Sequence, residues 1–303
     1  MGQNIDLSGM MIDNPLIPAS GAFGYGMDYQ DFFDVNEVGT FCTKGTTLHP
    51  HKGNPLPRIA EYSGGMLNCV GLENPGVETV VREYFPKLRN TYHKKVIANV
   101  CGFSVDDYIK TAEIFDREEC VGLIELNISC PNVHAGGAAF GKDPSIASEI
   151  LTKVKKVCRK PVYVKCTPQC PDLVLMCKTL EASGADGLVL LNTWLGMRLD
   201  IRTGKPILSN ITGGVSGPGI FPLTLYKIYE VYKNVNIPII GCGGISNGRD
   251  VIEMMSAGAS AIEIGTELLT DPMALPRIKK ELSELMDTYN ITELSEIIGR
   301  AHK

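Results

Sequence analysis

The chain has 303 residues, 44% of them hydrophobic and 21% charged, with 29 basic against 34 acidic side chains. That apolar fraction excludes a disordered chain, and the net charge of −5 argues against a dedicated nucleic-acid binder, which would carry a basic face. No apolar run approaches the roughly 18 residues of a membrane span.

Eight short apolar runs punctuate the chain, at 16–20, 38–44, 96–101, 122–129, 161–166, 187–192, 238–243 and 261–268. Each is near-continuous rather than alternating, as expected of parallel strands buried on both faces. Helical patterns lie between them. Ile146, Ile150, Leu151, Val154 and Val157 recur at helical spacing, and so do Leu173, Met176, Cys177 and Leu180. Ser246 or Asn247 can cap a helix running to Ala257, with Gly258 suited to its C′ position. Eight strands with intervening helices predict an α/β fold, a (β/α)₈ TIM barrel, as one domain over 1–303. The rival is a doubly wound sheet, which would carry a Gly-rich phosphate loop after its first strand. Here the first run leads into Gly21-Ala22-Phe23-Gly24-Tyr25-Gly26, which lacks the G-x-G-x-x-G spacing. Two stretches, about 46–73 and 193–218, are too long for simple connections and are expected to be functional insertions.

Ten cysteines are present, without a C-x-x-C pair, so no zinc or iron–sulfur ligand set is visible and no metal is expected. The start, MGQNIDLSGM, lacks the basic and apolar regions of a secretory signal. Reduced thiols in a cytoplasmic protein are therefore the expectation.

In a barrel, functional residues gather at the C-terminal ends of the strands. Read there, the runs offer Ser20, then Lys44-Gly45-Thr46, Asn99, and Asn127-Ile128-Ser129-Cys130-Pro131-Asn132. They continue with Lys165, Asn192-Thr193, Gly241-Cys242-Gly243-Gly244 and Gly265-Thr266. Glycines after the seventh and eighth strands let backbone N–H groups approach a phosphate, although tight turn packing would also select them. Lys44 and Lys165 sit inside apolar runs and need partners. A bound anion, an electron-rich ring or an internal salt bridge would serve. Asn68, Asn99, Asn127, Asn132 and Asn192 add amides suited to a ring with alternating carbonyl and N–H groups, or to turns and caps alone. Cys130, just past a strand, can act as a base or nucleophile if its ionisation is tuned. The small, glycine-rich stretch 133–141 after it reads as a lid or as an ordinary surface loop.

Several of these segments together resemble class 1 dihydroorotate dehydrogenases. The resemblance rests on Asn127-Ile128-Ser129-Cys130-Pro131-Asn132, Pro18-Ala19-Ser20-Gly21 and Asn68-Cys69-Val70-Gly71-Leu72-Glu73-Asn74-Pro75-Gly76. Gly213-Gly214-Val215-Ser216-Gly217-Pro218 and Gly243-Gly244-Ile245 add to it, so that it covers about residues 4–290. Phe140-Gly141-Lys142-Asp143-Pro144 and Asn192-Thr193 look most like the NAD-linked class 1B catalytic subunit.

The resemblance implies an FMN-bound barrel that oxidises dihydroorotate to orotate in pyrimidine (UMP) biosynthesis. By position, Ser20, Lys44, Gly45, Asn99, Asn127, Lys165, Leu191, Gly217, Gly243, Gly244, Gly265 and Thr266 would touch FMN. Lys44, Asn68, Cys69, Val70, Gly71, Leu72, Asn127, Asn132, Asn192 and Thr193 would hold the substrate, with Cys130 as the base. Cys69 departs from the Ala more usual in the family and would add a thiol near the flavin. The resemblance also implies a homodimer associated with an iron–sulfur flavoprotein carrying FAD and a [2Fe–2S] cluster, with NAD as the final acceptor. The absence of a dinucleotide fingerprint and of C-x-x-C agrees with electrons leaving through another subunit. The neighbouring readings are a fumarate-using class 1A enzyme, a flavin enzyme acting on uracil or thymine, and a flavin-free lyase with a Schiff base on Lys165.

Overall fold

The computed structural model describes residues 2–129 and 140–303, so Cys130, Asn132 and most of the expected lid lie outside the described residues. The chain opens with a hairpin of β1 (Ile5–Leu7) and β2 (Met10–Ile12), turned through Ser8 and Gly9, both at positive φ. This hairpin lies at the N-terminal mouth of the barrel. Ser8 Oγ is 3.0 Å from the hydroxyl of Tyr163 and donates to Asp186 O at 3.0 Å.

Next come β3 (Leu16–Pro18), β4 (Ile59–Tyr62), β5 (Gly65–Asn68), β6 (Val96–Val100) and β7 (Val121–Asn127). They are followed by β8 (Val162–Lys165), β9 (Gly187–Leu190), β10 (Trp194–Gly196), β11 (Gly213–Ser216), β12 (Ile239–Cys242) and β13 (Ala261–Ile264). Seven of these form one curled parallel sheet in the order β3-β13-β12-β9-β8-β7-β6. Their burial is nearly complete on both faces, as the unbroken apolar runs require.

The expected strand at 38–44 pairs more sparsely. It closes the ring through isolated bridges, Cys42 with Ile97 and Thr46 with Val100. Cys42 N donates to Pro18 O at 2.9 Å on one side, and Thr43 N to Ile97 O at 2.9 Å on the other. The barrel is therefore of the expected TIM type, with one irregular stave.

The helical patterns fold as expected. Pro144–Val157 buries Ala147, Ile150, Leu151 and Val154, and Leu173–Ala182 buries Leu173, Met176, Cys177 and Leu180. Asn247, rather than Ser246, caps Gly248–Ala257 by accepting from Asp250 N at 3.0 Å, and Gly258 ends that helix at φ 128°.

The two long insertions meet each other. They build a four-stranded antiparallel sheet in the order β10-β11-β5-β4, with Gly214 opposite Asn68 and Trp194 opposite Val215. Ala60, Leu67, Cys69 and Leu208 form a small core of their own beneath it. This sheet stands over the C-terminal ends of the barrel strands.

Candidate active site

Between barrel and small sheet lies a cavity of about 350 Å³, within the usual range for a small-molecule site. Strand ends supply its floor and sides. Ser20 follows β3, Lys44 and Gly45 come from the irregular stave, Asn127 ends β7, Lys165 ends β8, and Leu191 and Asn192 follow β9. Ile59, Met66, Val70 and Leu72 give the insertions' apolar wall.

At one end Gly217, Gly243, Gly244, Gly265 and Thr266 crowd together. Gly244 has φ 86°, and a Cβ there would lie 2.5 Å from Phe221 N and 2.6 Å from its Cα. Packing and backbone freedom thus both require glycine at this corner, which also keeps the cavity open to main-chain N–H groups. Thr266 Oγ1 donates to Ser216 Oγ at 2.7 Å, tying the last barrel strand to the small sheet.

Lys165 is buried yet lines the cavity from below. Its Nζ lies 2.6 Å from Glu263 Oε2 and 3.2 Å from Glu125 Oε1. The internal salt bridge and the cavity position therefore coexist in one side chain. Burial works against its charge, but Glu125 and Glu263 hold the ammonium protonated well above the ordinary lysine range. Burial likewise opposes the charge of Glu125, which the Lys165 ammonium beside it nevertheless holds below the ordinary range. Glu263 goes the other way, pushed well up by burial and by the neighbouring Glu125. Cys42, Glu125 and Glu263 bring ligand atoms within 4.8 Å of one another. The Lys165 ammonium already supplies the cation there.

A chain of hydrogen bonds joins this cluster to the rim. Asn99 Nδ2 donates to Glu125 Oε1. Asn127 Nδ2 donates to Asn99 Oδ1 at 3.4 Å, and Asn127 Oδ1 accepts from the Ser129 hydroxyl at 2.8 Å. That hydroxyl in turn accepts from Asn192 Nδ2 at 2.9 Å. Thr193 N donates to Asn192 Oδ1 at 2.7 Å. Fixed amides of this kind present donors and acceptors without reorganising.

The expected site residues thus fall into three groups. All those assigned to a cofactor line the cavity except Asn99, which is fully buried one layer below and acts on Asn127. Lys44, Asn68, Val70, Gly71, Leu72, Asn127, Asn192 and Thr193 line it as expected for substrate. Cys69 does not: its thiol turns into the small core, 3.8 Å from Pro57 O and 3.8 Å from Ser209 Oγ. The thiol expected beside the cofactor is therefore packed away. Cys130 and Asn132 lie outside the described residues, directly after the buried Ser129.

Sequence reasoning missed Glu125 and Glu263, and placed Ser129 at the strand end without giving it a role. The two glutamates carried a readable signal, since each is the one acid in its strand, Val121–Asn127 or Ala261–Ile264.

Comparison with known proteins decides the family. Residues 4–286 match the dihydroorotate dehydrogenase family. The chain belongs to that family. It is 48% identical over 299 residues to "Dihydroorotate dehydrogenase B (NAD(+)), catalytic subunit" of Geobacillus sp. (strain WCH70), covering 99% of this chain and 95% of the relative. Proteins of the same name from Geobacillus kaustophilus (strain HTA426) and from Bacillus cytotoxicus (strain DSM 22905 / CIP 110041 / 391-98 / NVH 391-98) are 47% and 48% identical, each over 99% of this chain. Dihydroorotate dehydrogenases are oxidoreductases, and this chain is one. Among the described residues, no helix is long and apolar enough to cross a membrane.

The cavity's donor set fits a flavin mononucleotide. A buried cation, fixed amides and an open glycine corner all line it, so that a polar ring edge and a phosphate each meet suitable groups.

Proposed function

We propose that this chain is the FMN-binding catalytic subunit of a class 1B enzyme that oxidises (S)-dihydroorotate to orotate in cytoplasmic pyrimidine biosynthesis. The observation that carries the reading is Lys165, a buried ammonium opening on a cavity that the glycine corner at Gly243, Gly244 and Gly265 also lines. The relatives' shared name supports the NAD-linked class.

Gly217, Gly243, Gly244, Gly265 and Thr266 would hold the phosphate, and Ser20, Gly45, Asn127, Lys165 and Leu191 the ring system. FMN bound there supplies the acceptor for the hydride leaving C6 of dihydroorotate. Lys165 places a fixed positive charge where negative charge develops. Asn68, Asn127, Asn192 and Thr193 orient the pyrimidine ring, and Lys44 offsets the substrate carboxylate. Cys130, as thiolate, takes the C5 proton onto Sγ. The C5–H pair becomes the C5=C6 double bond as the C6 hydride departs. No dinucleotide fingerprint or cysteine cluster motif is present in the sequence. Electrons would therefore leave this chain through a partner subunit carrying FAD and a [2Fe–2S] cluster, with NAD as the final acceptor.

Steady-state kinetics on the purified yellow chain with three acceptors test this. A dye such as dichlorophenolindophenol should be reduced readily, whereas NAD⁺ should be reduced efficiently only once the partner is added. Fumarate reduction at the dye rate would move the chain to class 1A. Rapid NAD⁺ reduction by the chain alone would remove the partner from the scheme.

A further inference from the structure

Beneath the cavity, two fully buried carboxyl groups meet the ammonium of Lys165, which also lines the cavity. Glu125 and Glu263 are both fully buried, and both contact Lys165 Nζ. Each also keeps one oxygen, Glu125 Oε2 and Glu263 Oε1, with no donor among the described residues. Among the described residues, the other groups facing the cluster are the Cys42 and Cys242 thiols and Asn99. Burial keeps both thiols neutral, and the amide is already spent on Glu125 Oε1. Two ionised glutamates would leave a net negative charge, in a region where an uncompensated ion costs several kcal/mol. One proton between them removes that charge and turns one of two acceptor-only groups into a donor, since two carboxyl groups can bond to each other only when one is protonated.

We propose that Glu125 and Glu263 hold a single proton between them, so that Lys165 faces the cavity from a cluster of zero net charge. The glutamates are then positioning residues acting through Lys165. They fix its Nζ and set how much of its charge the cavity feels. The raised ionisation of Glu263 beside the lowered ionisation of Glu125 has the pattern of a pair sharing one proton. The proton rests on the geometry alone, whereas its consequence for redox balance rests on the flavin reading above.

Two measurements test this. The first is infrared spectroscopy of the carboxyl C=O stretch at neutral pH, on the chain with and without FMN. Wild type should show the band of one buried protonated carboxyl. Either Glu125→Gln or Glu263→Gln should abolish it, because the remaining carboxyl pairs with Lys165 as an anion. Absence of the band from wild type, or its persistence in both single variants, would overturn the shared proton.

The second is the equilibrium between oxidised and reduced FMN against a reference dye. Each single variant should stay within about threefold of wild type, because one negative charge remains beside Lys165. The double variant, with Lys165 unneutralised, should shift at least about tenfold toward the reduced form, about 30 mV for a two-electron couple. A tenfold shift in either single variant would mean that both glutamates were ionised. A double variant indistinguishable from the singles would refute their control of Lys165. Failure of wild type to bind FMN would sink the flavin reading and leave the infrared result standing.

Discussion

Ser129 Oγ donates to Asn127 Oδ1 at 2.8 Å, two residues back along the same strand end. The same oxygen accepts from Asn192, so one buried hydroxyl sets the orientation of two cavity amides from different strands. Removing it takes one hydrogen bond from each, leaving Asn127 held by Asn99 and Asn192 by Thr193 N. Ser129→Ala should keep FMN but raise KM for dihydroorotate about tenfold, the effect of roughly 1.5 kcal/mol from lost hydrogen bonding. Steady-state kinetics and the flavin spectrum report the two halves of this expectation. An unchanged KM would show that the amides hold their orientation without Ser129.

Cys130 follows Ser129 directly, and is the residue proposed to take the C5 proton. Cys130→Ala should retain FMN and lose dihydroorotate oxidation by about 10²–10⁴-fold, the usual worth of a general base. A variant within about threefold of wild type would remove the thiol from the chemistry.

The glycine corner makes a steric forecast. At Gly244, positive φ and the approach of Phe221 both penalise a side chain, at about 1–3 kcal/mol for the backbone conformation alone. Gly244→Ala should weaken FMN binding by at least about tenfold, since the loop must move away from Phe221 and into the proposed phosphate end. Titration of the apoprotein, followed by quenching of FMN fluorescence, measures it. Wild-type affinity would separate this corner from the phosphate.

Far from the cavity, Asp116 carries a pH dependence of known sign. Its Oδ1 accepts from Arg159 N at 2.9 Å and Lys160 N at 3.0 Å. Burial opposes its charge, but the Lys160 and Arg159 backbone bonds outweigh it and hold the carboxyl below the usual range. A lowered value in the folded state means stability present above the unfolded value, about pH 4, and lost as pH falls through the folded one. Asp116→Ala should therefore cost about 1–3 kcal/mol near neutrality. The deficit should shrink below about pH 4. Urea unfolding of both proteins across that range decides it, and a deficit independent of pH would mean that packing alone is lost.

Strand positions in the barrel were readable because burial on both faces writes an unbroken apolar run, as at Val96–Val100 and Ile239–Cys242. The stave around Cys42 was readable as buried, but not as irregular: composition reports the environment of a strand, not its ladder. The small sheet was invisible as a sheet. Its strands are three or four residues long, three of the four carry glycine, and Ile59–Tyr62 is only partly buried. Their pairing joins residues about 150 apart in sequence, as with Gly214 and Asn68. Glu125 and Glu263 escaped notice for a related reason. In a run that reads as core, a lone acid looks like an interruption until its lysine partner from a third strand is seen. The inward turn of Cys69 depends on the register of that same small sheet.

The wall facing the barrel mouth belongs to neither insertion. Residues 59–68 supply one pair of its strands and residues 194–216 the other, and a lone hairpin is at best marginal in water. Neither half holds its shape until the barrel has carried both to the same rim. The chamber's roof is therefore a joint product, and its two halves are bound to change together: an alteration on one side of the Gly214–Asn68 seam alters the strand with which the other side pairs.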